Sequence, residues 1–539
     1  MRSLNRLAAT LLMAVAAVVT VPAAAAQALD NGVGRVPPMG FNTWNTFGCN
    51  IDETLLRQTA DAMVSSGMRD LGYKYVVVDD CWFDPNRDSA GNLRANPQRF
   101  PSGMKALGDY LHARGLLFGI YQVPVDKTCA QYFGAYPGAT GSRGHEYQDA
   151  ATFASWGVDF LKYDWCSPTG TIDDQVRTFA LMRDALRATG RPIFYSINPN
   201  SIHEKTGPRR NWSDVANMWR TTEDITNAWN TGQTNGYPMG IQNIVDVTVP
   251  LAHYAAPGGF NDPDMLEVGN GGMTDTEMRS HFALWAMMAS PLIAGNDVRS
   301  MSAATRSILT NSRLVAINQD TLGLQARQVS FDGTRRILAK PLANGDIAVA
   351  LFNQGASTTT ISTTAAALGR TGSSFTLVDA WTGATSTTTS AISATVAAHA
   401  TAVYRLSGGS TPQPTTTTLV SESAGRCLDA PNGATANGTQ PVIWDCNGGA
   451  NQRWTVNGQS LQVLGKCLDV PAGAAAGTRV RLWDCTGTAA QQWETHSDTT
   501  LRNAATGLCL DVDRNLTANG TAVLLWSCSG AVNQRWIRR

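Results

Sequence analysis

The stretch Tyr75 to Asp80, YVVVDD, decides the fold. Val76, Val77 and Val78 leave no polar face, so a strand here is buried on both sides, as in a parallel sheet covered by helices. Two carboxylates, Asp79 and Asp80, stand where the run ends. Runs of the same kind recur at Met39 to Trp44, Leu116 to Tyr121, Phe160 to Asp164, Ile193 to Ile197, Met218 to Thr222, Gly258 to Asp262 and Leu292 to Asn296. Between them, stretches such as Glu53 to Ser66 and Asp173 to Thr189 carry the spacing of amphipathic helices. Eight strand-and-helix units in series predict a TIM (β/α)8 barrel.

In such a barrel the strands run out into one shared pocket, so polar strand ends are where chemistry is expected. Here those positions carry Trp44, Asp79, Asp80, Tyr121, Lys162, Asp164, Asn198, Arg220, Asp224, Asp262 and Asp264. A single strand-end Asp is more often a helix cap or an ion-pair partner. Several carboxylates beside only two cations, Lys162 and Arg220, are costly to bury unless a polar ligand or a proton relieves them. Two carboxylates with a cation meet the needs of a retaining glycosidase, in which one attacks the anomeric carbon and the other protonates the leaving oxygen, roughly 5 Å apart.

From about Gln325 to Ser407 the pattern becomes Thr/Val/Ala alternation with turn signals at Phe331-Asp332-Gly333 and Ala343-Asn344-Gly345, predicting a helix-free antiparallel β-sandwich without catalytic groups. GGSTPQPTTTT, Gly408 to Thr418, has the composition of a stiff linker. After Leu419 the chain repeats three times with a period of about 40 residues: RCLDAPNG with VIWDCNGGANQRW, KCLDVPAG with RLWDCTGTAAQQW, and LCLDVDRN with LLWSCSGAVNQRW.

Arg2 and Arg6, the apolar run Leu7 to Val21 and small residues to Ala28 read as a secretory signal, with cleavage expected after Ala26 or Ala28. The run falls short of the roughly 20 residues of a membrane span. The expected layout is therefore a signal over 1–28, barrel over 29–322, sandwich over 323–407, linker over 408–418 and repeat module over 419–539. Acidic and basic residues balance at 42 each, which points to a neutral partner such as sugar rather than nucleic acid or a membrane surface. The ten cysteines include no zinc-type spacing, and in an exported chain they read as disulfides.

The blocks PPMGFNTWNTFGCNIDE, YVVVDDCW, RDSAGNLRANPQRFPSGMKALGDYLHARGL, WGVDFLKYDWC, WRTTEDI and GGFNDPDMLEVGNGGMTDTEMRSHFALWAMMASPLIAGND resemble glycoside hydrolase family 27, the α-galactosidase family, in order over residues 35 to 325. The resemblance implies Asp164 as nucleophile and Asp224 as general acid/base, with Glu223 a competing acid. It implies glycone contacts from Trp44, Asp79, Asp80, Lys162, Arg220 and Asp264, with Tyr121 lining the pocket, no metal or other cofactor, and disulfides Cys49–Cys81 and Cys129–Cys166. In those roles Lys162 or Arg220 should favour ionised Asp164, and the other carboxylates should keep a proton on Asp224.

Two segments depart from the family. Asn198 stands where the α-galactosidases place a glutamate near the sugar's O2, and Val123-Pro124 follow Tyr121 in place of small and acidic residues. Both segments are expected at the pocket, leaving α-galactosidase as the leading activity beside the family's β-L-arabinopyranosidases and isomalto-dextranases. A lectin with a vestigial barrel is the reading from another class.

The repeats are similar to the ricin-type β-trefoil, carbohydrate-binding module family 13, which implies polysaccharide as partner and disulfides Cys427–Cys446, Cys467–Cys485 and Cys509–Cys528. Trp454, Trp493 and Trp536 read as shared core. The expected sugar contacts are Asp429, Asp469 and Asp511, stacking platforms Trp444, Trp483 and Trp526, and the pairs Asn451/Gln452 and Asn533/Gln534. Ala490 replaces the asparagine in the middle copy, so its site should be weakened or lost.

Overall fold

The computed structural model describes residues 29–200, 205–410, 415–496 and 498–539. The expected signal, residues 1–28, lies outside them. Eight parallel strands form the first unit: β1 (Met39–Asn42), β2 (Tyr75–Val78), β3 (Leu117–Gln122), β4 (Phe160–Asp164), β5 (Phe194–Asn198), β6 (Met218–Arg220), β7 (Phe260–Asp262) and β8 (Leu292–Ala294). They pair in the order β7-β6-β5-β4-β3-β2-β1-β8. The ring closes just past β7, where the Leu266 N–H donates to Ile293 O (2.8 Å) and the Gly295 N–H to Leu266 O (3.0 Å). Each expected strand is present, several cut short at the C-terminal end.

β1 stops at Asn42 because the Asn42 side-chain oxygen accepts from the Trp44 N–H (2.8 Å) and turns the chain, so Trp44 opens a short helix instead of ending a strand. Asp79, Asp80 and Asp224 likewise sit in the loops after β2 and β6. The expected helices are Glu53–Ser65, N-capped by Asp52, and Ile172–Ala188, which begins in a capping box between Thr171 and Asp174. Val77, Phe160, Phe194, Met218 and Phe260 form a buried layer across the barrel axis and close it beneath the strand ends.

The second unit holds β9 (Arg327–Phe331), β10 (Arg335–Pro341), β11 (Ile347–Asn353), β12 (Thr359–Thr364), β13 (Phe375–Asp379), β14 (Thr385–Thr388), β15 (Ala391–Val396) and β16 (Thr401–Ser407). Six of them make one sheet, β14-β13-β16-β11-β10-β9, and β12 with β15 makes the other. One helical turn, Ala366–Leu368, interrupts the expected all-strand pattern, closed by Gly369 in the left-handed region. Strand β11 is buried throughout. Val349 and Leu351 face the sandwich interior, whereas Ala348, Ala350 and Phe352 join the barrel's core.

The expected linker is shorter than its composition suggested. Thr371 and Ser410 exchange backbone hydrogen bonds, while Thr415–Thr417 pairs with Trp454–Asn457 as a strand of the third unit. Threonine suits strands as well as linkers, so the run carried no boundary of its own. In the third unit each repeat sends one tryptophan into a common core: Trp454, Trp493 and Trp536 donate from Nε1 to the carbonyls of Leu428, Leu468 and Leu510 at 2.8, 3.0 and 3.0 Å. Among the described residues no helix is long and apolar enough to cross a membrane.

Candidate active site and sugar-binding sites

The strand ends converge on one cavity lined by Asn42, Lys162, Asp164, Asn198, Arg220, Asp262 and Asp264 over a floor of Val77, Phe160 and Met218. Lys162 is its organising cation. Its Nζ donates to Asp79 Oδ2 at 2.7 Å and stands 3.9 Å from Asp164 Oδ2. Asn42 Nδ2 donates to the same Asp79 oxygen at 2.7 Å, a contact absent from the sequence expectations although Asn42 is a polar strand end. Burial alone would lower the Lys162 pKa, but Asp79 and Asp164 outweigh it and hold the ammonium above the usual lysine range.

Asp164, at the end of β4, is buried, and its Oδ1 accepts no hydrogen bond among the described residues. Lys162 and Arg220 were expected to favour its charged form. They do pull that way, yet burial, reinforced by Asp79 and Asp224, wins and pushes the carboxyl up to about 6. An acid of this strength is still ionised at pH 7.

A second cluster faces it. Arg220 Nη2 contacts Asp264 Oδ2 at 2.8 Å and Asp224 Oδ1 at 3.1 Å, and four acidic neighbours keep the guanidinium charged despite complete burial. Asp264 lies in the left-handed region at φ 77° and accepts from the N–H groups of Ile225 and Met265 (2.9 and 2.8 Å). Burial pushes Asp262 up to about 7. The two candidate catalytic carboxyls differ sharply in access: the Asp164 side chain is 9% exposed, that of Asp224 51%. Glu223, the competing acid, is turned aside into an ion pair with Lys205 and is 9% exposed.

Two family models match this catalytic half: one described as alpha galactosidase A over residues 36–320, and one described as the alpha galactosidase C-terminal beta sandwich domain over residues 332–406. The chain belongs to glycoside hydrolase family 27. This family 27 hydrolase is 49% identical over 336 residues to alpha-galactosidase A of Cellvibrio japonicus, covering 61% of the chain and 79% of that protein. Among solved structures, alpha-galactosidase I from Mortierella vinacea shares 35% identity at a TM-score of 0.66, over 71% of this chain and all of that one (100%). The Saccharomyces cerevisiae alpha-galactosidase with raffinose shares 33% at a TM-score of 0.64, over 70% and 98%. A ricin-type beta-trefoil lectin domain model matches residues 415–536.

Not every expected pocket residue of the family 27 hydrolase faces the cavity. Tyr121 is buried behind it, with its hydroxyl 3.7 Å from Cys166 Sγ and its ring 5.3 Å from the Lys162 ammonium, so it backs the lysine instead of lining the pocket. Val123 packs with Tyr121, Val125 and Cys166 and leaves the cavity wall, because the β3 loop folds under the Cys129–Cys166 bridge. Asn198 does line the cavity beside Asp164 on the neighbouring strand, its Oδ1 taken by the Asn200 N–H (3.0 Å). Asp80 is fully buried, one oxygen on the Cys81 N–H and the other on the Ala130 N–H (2.7 and 2.8 Å), and burial raises it to about 7. Trp44 is half-buried.

All five expected disulfides are present, with Cα separations of 5.1 to 5.2 Å. Cys129 and Cys166 approach Asp164 closely, but their sulfurs are bonded to each other and offer no thiolate to a metal.

In the trefoil, repeats one and three share a geometry. Asn451 and Gln452 donate to Asp429 at 2.8 and 2.7 Å, and Asn533 and Gln534 donate to Asp511 at 2.9 and 2.8 Å. Their platforms, Trp444 and Trp526, are 43% and 50% exposed. The middle repeat differs more than Ala490 alone implied. Arg481 Nε donates to Asp469 at 2.7 Å, Gln491 takes the other oxygen at 3.1 Å, and the guanidinium lies 4.0 Å above the Trp483 ring. Asp469 and Trp483, expected as a sugar acceptor and its platform, are therefore occupied by the chain itself. The corresponding residues of the other repeats are Val442 and Leu524, which cannot make that contact.

Proposed function

We propose that this hydrolase is a secreted, retaining α-galactosidase that releases terminal α-D-galactose by double displacement, with residues 29–322 as its catalytic barrel, 323–407 as a sandwich and the trefoil holding it on polysaccharide. The observation that carries the reading is the pair of facing clusters, Asp79–Lys162–Asp164 against Arg220–Asp224–Asp264, on one cavity. Asp164 Oδ attacks the anomeric carbon as the bond to the aglycone oxygen breaks, and Asp224 delivers a proton to that oxygen. Water then attacks the glycosyl-aspartate, Asp224 takes its proton, and Asp164 leaves as carboxylate. The burial of Asp164 and the exposure of Asp224 fit this division, since the aglycone enters from the mouth.

The apolar layer below the cavity favours a chain end over a threaded chain. Asp79, beside Lys162, supplies an acceptor for an axial O4, as galactose needs, Asp80 backs it from the buried side with its oxygens on the Cys81 and Ala130 N–H groups, and Asn198 lines the cavity and meets O2 without a charge. The signal at 1–28 and five disulfides support export. The trefoil's first and third repeats present an acceptor and an indole face to sugar, and two sites on one module gain retention through avidity.

The test is a rate comparison on aryl α-galactoside, aryl β-L-arabinopyranoside and isomalto-oligosaccharide. The galactoside should be hydrolysed fastest, Asp164→Asn should lose that activity, and Asp224→Ala should lower its kcat because the glycosyl-aspartate then lacks its general base. A preference for either other substrate overturns the sugar assignment, and undiminished rates in both variants overturn the catalytic one.

A further inference from the structure

Asp224 is a half-exposed carboxylate held, among the described residues, by one side-chain contact, Arg220 Nη2 at 3.1 Å, so its aim depends on the backbone that carries it. That backbone is the base of the excursion between β6 and the helix Ile241–Thr248. The Met239 N–H donates to Asp224 O and the Thr226 N–H to Met239 O, both at 2.9 Å, and Gln242 reaches back to Trp229 O at 2.9 Å. Trp229 leaves the barrel at this base. Its ring stacks on His399 of the sandwich (centroids 5.0 Å apart, 17° between planes) and meets Phe352 of β11 edge-on at 5.9 Å. The indole Nε1–H donates to no partner among the described residues, so ring packing fixes it.

His399 is itself built to hold still. It lies in the left-handed region at φ 59°, an uncommon and costly conformation for a side chain of this size. Two barrel groups pin it there: Glu277 Oε1 on its Nδ1 at 2.7 Å, and Ser280 Oγ on its carbonyl at 2.6 Å. The other Glu277 oxygen closes the capping box with Thr274, so His399 is tied to the first turn of the helix Asp275–Met287.

We infer that Trp229 and His399 are positioning residues for the acid/base, and that the sandwich serves the reaction by clamping the base of the loop that carries Asp224. The inference rests on the proposed role of Asp224. A loosened clamp leaves Asp164 and Lys162 in place but misplaces the proton donor, and a shift of about 1 Å in a catalytic group is enough to cost a large rate factor.

The experiment measures kcat/KM for His399→Gly, which keeps the backbone conformation, and for Trp229→Leu, on 4-nitrophenyl α-galactoside and methyl α-galactoside. The nitrophenolate departs with little help, whereas methoxide needs the proton. The ratio of the two values on one sample is independent of how much protein is folded. Both variants should lose about tenfold or more on the methyl glycoside and about twofold or less on the aryl one. Equal losses on both substrates, or no loss on either, would overturn the clamp. Asp224→Ala is run alongside and should show the same selective loss, larger, on the order of 10²- to 10⁴-fold. If Asp224→Ala lacks the selectivity, the acid/base assignment fails; if it shows it and the clamp variants do not, only the clamp fails.

Discussion

The barrel mouth and the trefoil both bury aspartates, and they treat them in opposite ways. In repeats one and three each aspartate is met by an asparagine and a glutamine amide, and in the middle repeat by a glutamine and an arginine. At the barrel mouth Asp164 keeps an oxygen without a partner among the described residues, and burial lifts Asp262 to about 7 and Asp164 to about 6. Satisfied carboxylates recognise hydroxyls; a frustrated cluster is poised for reaction with charge that develops on a substrate.

The comparison predicts separable losses. Asp164→Asn should lower kcat on aryl α-galactoside by on the order of 10³-fold or more while leaving retention on polysaccharide intact, measured by rate assay and by cosedimentation of the full chain. Next in size is the acid limb. Because Asp164 is raised above its ordinary value, its reactive carboxylate form is lost as pH falls through about 6, and log kcat/KM should drop with unit slope below that point. A limb near pH 4 would mean that burial does not govern the group.

For the trefoil, Asp429→Ala with Asp511→Ala should weaken retention about tenfold or more, with kcat on a small aryl galactoside unchanged. The smallest effect is expected in the middle repeat, where Asp469→Ala should change retention by about twofold or less because Arg481 already holds that acceptor. A loss as large as at Asp511 would show that Arg481 gives way to sugar.

Much of this was legible in the sequence because it follows from local pattern. Continuous apolar runs such as Val76 to Val78 marked the barrel strands, the polar residues after them marked the mouth, and the Gln-x-Trp spacing marked the trefoil core. What stayed hidden depends on side-chain direction across elements that are far apart in the chain. Tyr121 occupies a strand-end position yet turns behind Lys162, and Val123 folds under a disulfide. Arg481 belongs to no shared motif of the repeats, yet its guanidinium lies on both Asp469 and Trp483. The sandwich gave no catalytic signal at all, since His399 acts on a barrel loop 170 positions earlier (399 less 229) through ring packing that no motif encodes.

The most direct measurement is covalent trapping with 2-deoxy-2-fluoro-α-D-galactosyl fluoride, followed by mass spectrometry of the labelled peptide. One fluorogalactosyl group should be found on Asp164, within the segment Trp156 to Cys166. Label on Asp224, Asp262 or another carboxyl, or turnover that releases the inverted sugar, would contradict the assignment of Asp164 as the nucleophile.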